Sequence, residues 1–183
     1  MTNDKKLTTI SKFMSLVLRH QPQHIGLTLD AAGWADVADL LARAGGAGRA
    51  ITRDQLNEVV ATSDKRRFAL SDDGLRIRAN QGHSVEVDLG LPPVTPPEFL
   101  FHGTASRFVA SVMATGLERR SRHHVHLTED VTIGRAVGAR YGVPVILRIA
   151  AGEMAAQGHV FFRSANDVWL VEEVPARFIE VQR

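Results

Sequence analysis

A proline-rich segment, LPPVTPPEF, divides the sequence and constrains its fold more than any other feature. Four prolines fall within residues 92–97. Because proline has a fixed φ and lacks a backbone N–H, neither a helix nor a central strand can continue through this segment. We therefore expect two domains, residues 1–91 and 99–183, joined by a proline-rich linker at residues 92–98.

The first half has three helical patterns followed by a hairpin pattern. Apolar residues recur at helical spacing near the N-terminus: Leu7, Ile10, Met14 and Val17. Pro22 predicts that this first helix ends near His20. A second helix is predicted with Asp36 as its cap, and a third begins with a capping box of Thr52 and Gln55. FAL-SDDG-LRIRA then predicts a β-hairpin, so this half is typical of a winged-helix lobe.

The second half contains more β-type segments. FLFHGT predicts a strand, ASRFVASVMATG a helix that ends at Gly116, and HVHLT an alternating strand. A helix is predicted over residues 129–140, with Thr128 as its cap. Four β-type runs follow, interrupted by the polar, small-residue stretch GEMAAQG: VPVILRIA, GHVFFRS, DVWLVEEV and RFIEV. The predicted fold class is therefore α+β, with the second half weighted to sheet.

Composition excludes several kinds of chemistry. The 183 residues include no cysteine, so disulfides, thiolate nucleophiles and cysteine-ligated metals are excluded. No apolar run approaches the roughly 18 residues of a membrane span, and MTNDKK lacks the apolar segment of a secretory signal, so we expect a cytoplasmic protein. The residues after position 91 include ten arginines and no lysine. Arginine recognises phosphate through paired hydrogen bonds, but GC-rich coding also favours arginine, so position is more informative than count.

Two basic motifs in the first half have alternative interpretations. Arg19 and His20 lie where the first helix should end, and cations there also complement the helix dipole. In KRRF, strand alternation separates Arg67 from Phe68, but a basic flank also protects a strand edge from aggregation. Neither motif alone distinguishes a site from a stabilised helix end or strand edge.

Two histidine motifs in the second half are also candidates. His-x-His at His124 and His126 can bind a metal, but we see no third ligand or supporting carboxylate nearby and expect no metal there. Strand alternation would place Arg122 on the same face as these two histidines. The motif that begins at His102 follows a strand, and its glycine permits close approach of a ligand; a turn capped by Thr104 is the alternative.

Several motifs together closely resemble the RNA 2′-phosphotransferase family, also called the tRNA 2′-phosphotransferases. In chain order they are LVLRHQP, GL-x-LD-x-x-GW-x-x-V-x-x-L, KRRF, FHGT, SRHHVHLT and VFFRSANDVWLVEEVP. The resemblance extends from about Ser11 to Phe178, in the family's order and spacing. It implies an N-terminal winged-helix lobe and a C-terminal ADP-ribosyltransferase-like lobe with a split β-sheet, with the substrate phosphate in the cleft between them.

The resemblance implies a reaction that consumes NAD+. An internal RNA 2′-phosphate displaces nicotinamide and gives a 2′-phospho-ADP-ribosylated RNA. The ribose 2″-hydroxyl then attacks phosphorus, which releases RNA with a 2′-hydroxyl and ADP-ribose 1″,2″-cyclic phosphate. The implied partners are NAD+ and RNA with an internal 2′-phosphate, and the family is associated with tRNA splicing and RNA repair. We expect no metal cofactor, no membrane association and a monomer.

Matching the family's motifs also assigns site residues. The catalytic quartet falls on Arg19, His20, Arg67 and Arg122. Three permanently charged guanidinium groups suit a dianionic phosphate, and His20 can change charge near neutral pH. The ADP-ribose portion of NAD+ is assigned to five residues, of which the last stands where the family commonly has serine: His102, Gly103, Thr104, His126 and Thr128.

Two other functions remain open. A winged-helix regulator needs a basic recognition helix, but RDQLNEVVA sets Arg53 against Asp54 and Glu58. An ADP-ribosyltransferase acting on nucleic-acid phosphate ends or on protein would lack only the second, transesterifying step. Protein-modifying relatives generally use a catalytic glutamate late in the sheet, and its clear counterpart is missing here, which favours phosphate as the acceptor.

Overall fold

The protein has two compact units, each with its own hydrophobic core. The structure is a computed structural model that describes residues 3–63 and 65–182. The units are Met1–Gly90 and Leu91–Arg183. Helices and small sheets occur in both units, and every strand pairing in the described residues is antiparallel. The predicted α+β class is compatible with this mixed architecture.

The first unit consists of three helices and a three-stranded sheet. Its helices are α1 Asn3–Arg19, α2 Val37–Gly46 and α3 Arg53–Thr62. Its strands are β1 Ala35–Asp36, β2 Phe68–Leu70 and β3 Arg76–Ala79, in the sheet order β1-β3-β2. A single 3-10 turn, Pro22–Ile25, follows α1. The predicted helices and hairpin are therefore confirmed, and β1 adds a third strand to the hairpin.

Local sequence signals explain these elements. The Asp36 carboxylate accepts from the Asp39 N–H at 2.8 Å, which satisfies one of the unpaired donors at the start of α2. The Thr52 hydroxyl accepts from the Gln55 N–H, and the Gln55 side chain accepts from the Thr52 N–H, which completes the predicted capping box of α3. The apolar faces of the three helices and the hairpin form one core: Ile10, Met14, Val17, Leu18, Leu40, Leu56, Phe68 and Ile77.

The second unit is richer in strands. Its helices are α4 Ser106–Thr115, α5 Val131–Gly138 and α6 Ala151–Ala156. Its strands are β4 Leu100–Ala105, β5 Leu117–Glu118, β6 Val125–Leu127, β7 Pro144–Ile149, β8 Phe161–Arg163, β9 Trp169–Val171, β10 Glu173–Val174 and β11 Ile179–Gln182. The sheets have the orders β11-β7-β4, β6-β9-β8 and β10-β5. A backbone bridge between Phe101 and Thr128 joins the first two sheets.

One core lies between these sheets and helices, with residues from β4, β6, β7, β8 and β9: Leu100, Leu127, Leu147, Ile149, Phe161, Trp169 and Val171. The proline-rich segment is attached to the same unit. Pro93 forms a bridge with Phe162, and the Val94 N–H donates to the Phe161 carbonyl at 2.8 Å. This segment therefore extends along β8 by backbone pairing, which its extended, helix-incompatible conformation allows.

Three expectations about the second unit are wrong in detail. The helix predicted over residues 129–140 is shorter, and Asp130 rather than Thr128 caps it by accepting from the Thr132 and Ile133 N–H groups. Thr128 cannot begin the helix because its backbone is paired in both directions with Phe101. GEMAAQG forms most of α6, and DVWLVEEV is divided between β9 and β10.

Close backbone packing holds α5 against β4. A Cβ atom placed on Gly103 would lie 1.7 Å from the Gly134 carbonyl oxygen, and one placed on Gly138 would lie 2.4 Å from the Thr104 carbonyl oxygen. Gly134 and Gly138 are four residues apart and therefore lie on one face of α5. A side chain at Gly103 or Gly138 would force the helix away from the strand.

Within the described residues, no helix combines the length and apolar character needed to cross a membrane.

Candidate functional site

The first unit brings Arg19 next to the backbone of Arg67 and His20 next to Ser84. The Arg19 guanidinium donates to the Arg67 carbonyl oxygen at 3.3 Å, and its Cζ lies 5.9 Å from the ring centroid of buried Phe68. His20 directly follows α1, and its Nδ1 lies 2.9 Å from the Ser84 hydroxyl. The two basic motifs of this unit, LRH and KRRF, are therefore in direct contact although 48 residues separate Arg19 from Arg67.

The Arg67 side chain lies in a groove between α1 and α3. Its guanidinium donates to the Ser63 hydroxyl at 3.4 Å. The groove has a volume of about 200 Å³. Besides Arg67, its polar lining consists of hydroxyl groups and one lysine: Thr8, Ser11, Thr62, Ser63 and Lys65. Among the residues that the structure describes, this lining therefore offers hydroxyl groups and two cationic side chains, Lys65 and Arg67. The carbonyl group of Arg67 therefore accepts a hydrogen bond from Arg19, while the Arg67 guanidinium contacts Ser63.

A segment that sequence reasoning missed connects both motifs. The Asn80 N–H donates to the Arg67 carbonyl at 3.0 Å, and the Asn80 side-chain amide donates to the carbonyl of Arg66. Arg66 has a positive φ of 38°, which is uncommon for a residue with a long side chain. Asn80 is 6% exposed, so its amide is a buried polar group committed to this turn. The polar run NQGHS directly after strand β3 was the available signal, because buried strand ends are rarely so polar.

His102 in the second unit is held in a neutral form. Its Nδ1 lies 3.0 Å from the His126 carbonyl oxygen, and since a carbonyl only accepts, Nδ1 carries the hydrogen. Burial of the ring lowers the pKa of His102, and the positive charge of Arg122 lowers it further, although the hydrogen bond to His126 opposes both effects. At neutral pH the ring therefore has a lone pair on Nε2 that can accept a hydrogen bond.

Arg122 and His126 also form a contact. An Arg122 guanidinium nitrogen lies 3.3 Å from His126 Nδ1, and because arginine only donates, Nδ1 is the acceptor. Strand β6 begins at Val125, so the prediction that Arg122 lies on a strand is wrong, yet its side chain still reaches His126. The ring of His124 packs edge-on against Phe162 at a centroid distance of 5.5 Å, and burial lowers its pKa.

The remaining three predicted residues have clear structural contacts. Gly103 allows the close approach of the α5 backbone, because a Cβ atom at this position would lie 1.7 Å from the Gly134 carbonyl oxygen; its approach to a ligand stays a prediction. Thr104 lies inside β4 and is buried at 7% exposure, so it does not cap α4, which begins at Ser106. The Thr128 hydroxyl accepts from the Asp130 N–H at 3.1 Å and so supports the residue that caps α5.

Across residues 3–63 and 65–182, no group of three histidine, aspartate or glutamate side chains is placed to hold a metal ion.

The described geometry defines a two-unit α+β protein with arginine and histidine motifs in each unit. Comparison with known proteins then assigns it: the chain belongs to the RNA 2′-phosphotransferase, Tpt1 / KptA family, whose model matches residues 5–173. A probable RNA 2′-phosphotransferase of Hahella chejuensis is 54% identical over 178 residues, which cover 97% of this chain and 96% of the relative. A protein of Agrobacterium fabrum with the same description is 55% identical, covering 95% and 94%, and one from Escherichia coli O45:K1 is 51% identical, covering 97% and 92%.

Proposed function

We propose that this chain is an NAD+-dependent RNA 2′-phosphotransferase that removes an internal 2′-phosphate from RNA. Family membership carries the proposal, because the matched residues 5–173 include every residue assigned to the catalytic quartet and to ADP-ribose binding. Three helices with a hairpin support a winged-helix lobe for the first unit. The antiparallel sheets of the second unit support an ADP-ribosyltransferase-like lobe that binds NAD+.

The chemistry of His102 supports its assignment to NAD+. Its Nδ1 is engaged with the His126 carbonyl, and its lowered pKa keeps the ring neutral at pH 7. A neutral ring of this tautomer accepts a hydrogen bond at Nε2, and ribose hydroxyls are donors of the matching kind. Gly103, Thr104, His126 and Thr128 lie on the same or the adjoining strand end and complete the proposed ADP-ribose set.

The quartet accounts for the two steps of the proposed reaction. In the first, a 2′-phosphate oxygen bonds to the ribose carbon of NAD+ and nicotinamide leaves with the bonding electrons. In the second, the ribose 2″-hydroxyl bonds to phosphorus and loses its proton, and the RNA 2′-oxygen leaves and gains one. Arg19, Arg67 and Arg122 offset phosphate charge in both steps, because arginine stays protonated at any working pH. His20 is the group in the quartet that can exchange the proton.

A product analysis tests this function. The purified protein is mixed with NAD+ and an oligoribonucleotide that has one internal 2′-phosphate, and nicotinamide release and the fate of the phosphate are followed together. We expect nicotinamide, RNA with a 2′-hydroxyl and ADP-ribose 1″,2″-cyclic phosphate, and no turnover without NAD+. An RNA product that keeps a stable ADP-ribosyl group on its phosphate would instead identify an ADP-ribosyltransferase. No reaction with this substrate would contradict the proposal.

The contacts of α3 give no support to a DNA-binding regulator. A recognition helix needs cationic side chains that are available to phosphates and bases. Arg53, the arginine at the start of α3, donates to the Gly74 carbonyl at 2.7 Å and to the Asn57 side chain at 3.2 Å. Its guanidinium therefore holds the hairpin turn against the helix.

A further inference from the structure

The segment of residues 82–85 closes the C-terminal end of α1. The last carbonyl groups of a helix have no partner inside the helix. The Ser84 N–H donates to the Arg19 carbonyl at 2.9 Å, and the Val85 N–H donates to the same oxygen at 3.3 Å. Two consecutive backbone donors from a distant part of the chain therefore fix the helix end from which Arg19 and His20 project.

The same segment also reaches the His20 side chain. The Ser84 hydroxyl lies 2.9 Å from His20 Nδ1, with 64 residues between the two along the chain. Because the backbone of Ser84 is already bonded to Arg19, its hydroxyl is delivered to the ring from a fixed main chain. A short side chain on a fixed backbone loses little conformational freedom when it forms this bond.

The residues before Ser84 explain why this main chain is fixed. Gly82 has a φ of 86°, a conformation that glycine adopts at little cost. The His83 side chain that follows is 2% exposed, and its Nε2 would lie 3.5 Å from a Cβ atom on Gly33. A turn at Gly82 and a buried ring at His83 thus anchor the chain immediately before the serine.

We propose that Ser84 is a positioning residue that orients the His20 imidazole during phosphoryl transfer. The inference rests on the proposed function, in which His20 exchanges a proton. With Nδ1 engaged by Ser84, proton exchange is assigned to the other ring nitrogen, Nε2. A hydrogen bond to one ring nitrogen sets the tautomer and direction of the other, as is general for functional histidines.

A hydroxyl suits this position better than a carboxylate. When His20 is neutral, the Ser84 hydroxyl can donate to Nδ1, and when His20 is protonated, the hydroxyl can accept from it. Ser84 therefore keeps the ring in place in both charge states. A carboxylate would bind only the protonated ring strongly and would oppose its deprotonation.

Kinetics of three variants test this role. Ser84→Ala removes the hydroxyl and leaves both backbone bonds to Arg19. We expect it to slow the same step that His20→Ala slows, by about 10- to 100-fold in single-turnover rate, with little change in KM for NAD+. Ser84→Thr keeps a hydroxyl and should retain most of the wild-type rate. The double variant Ser84→Ala/His20→Ala should be no slower than His20→Ala, because the serine acts through the histidine.

The matched control is Ser111→Ala, which removes the hydroxyl of an exposed serine on α4. We expect it to have the wild-type rate. A normal rate for Ser84→Ala, or losses for Ser84→Ala and His20→Ala that multiply in the double variant, would overturn the inference. Circular dichroism establishes whether each variant is folded. If Ser84→Ala does not fold, the single-turnover rate of Ser84→Thr tests the role of the hydroxyl, and a large loss of rate in that variant would contradict the inference.

A second measurement separates this inference from the proposed function. If the wild-type protein fails to convert 2′-phosphorylated RNA, the proposed function is wrong, whatever Ser84 does. The contact itself is then tested by the ¹⁵N chemical shift of His20 Nδ1, which we expect to change in Ser84→Ala and to stay constant in Ser111→Ala. An unchanged shift in Ser84→Ala would refute the hydrogen bond on which the inference depends.

Discussion

Single residues in this protein combine a structural contact with a proposed chemical role, and Arg122 illustrates how the two can be separated. Its guanidinium contacts His126 Nδ1 at 3.3 Å and is otherwise exposed. Arg122→Lys keeps the charge but loses the planar fork that binds phosphate in a bidentate manner. We expect the rate of phosphate removal to fall by about 100-fold or more. The control is Arg140→Lys, at another exposed arginine after α5, and similar rates for both variants would mean that charge alone is sufficient.

The pH dependence of stability reports on His102. Burial lowers its pKa below the usual 6.5, so the unfolded chain binds a proton at His102 more readily than the folded one. Folding stability from this group is therefore fully present above pH 6.5 and is lost as the pH falls below it. We expect His102→Asn, measured by urea unfolding at pH 7.5 and 5.5, to lose less stability on acidification than the wild type. An equal loss in both proteins would show that His102 is not buried in the neutral form.

At the scale of elements, the packing of α5 on β4 depends on glycine. Gly103→Ala would place a methyl group 1.7 Å from the Gly134 carbonyl, so we expect a loss of about 3 kcal/mol or more in the free energy of unfolding. Gly45→Ala on α2 is the control, because nothing lies within 4 Å of its Cβ. That change should raise stability by about 0.5–1 kcal/mol, since alanine favours a helix over glycine. Chemical denaturation of both variants measures the difference, and an equal effect would contradict the close packing.

The sequence predicted correctly those elements that are fixed by contacts between residues close together in the chain. The capping box at Thr52 and the cap at Asp36 use side chains within three residues, so the sequence alone revealed α2 and α3. The start of α5 was misassigned because Thr128 is held by Phe101, a partner outside its own segment. The helix α6 was missed because its segment was interpreted as a polar, small-residue break between strands, although alanine, glutamate and methionine favour helices and Ala151 and Met154 are buried in the core.

In the candidate site, too, features with local causes were predicted and features that depend on distant residues were not. The positions of Arg19 and His20 at a helix end follow from Pro22, and the identity of both residues follows from the resemblance of their motif. Ser84 and Asn80, in contrast, act on residues 64 and 14 positions away and belong to no motif of known spacing. Contacts of this kind depend on tertiary structure, which explains why sequence reasoning found the cationic groups but not the residues that hold them.

For the whole molecule, the central expectation is that arginines from both units serve one reaction. Arg67 belongs to the unit Met1–Gly90 and Arg122 to the unit Leu91–Arg183. If both stabilise the same phosphate in the same step, removal of one leaves little for the other to contribute. We therefore expect Arg67→Ala and Arg122→Ala each to reduce kcat/KM strongly, and the double variant to lose much less than the product of the two losses.

This double-variant comparison is made by single-turnover assay with 2′-phosphorylated RNA. The matched control pairs Arg67→Ala with Arg177→Ala, an exposed arginine of the second unit that donates to the Gln157 side chain at 3.2 Å. In that pair, the loss of rate in the double variant should equal the product of the losses in the two single variants, and Arg177→Ala alone should be near the wild-type rate. Thermal unfolding should change little in the exposed-arginine variants, since surface substitutions usually alter stability by about 0.5 kcal/mol or less. Multiplied losses for Arg67 and Arg122 would instead assign the two residues to independent steps, and the shared phosphate would have to be abandoned.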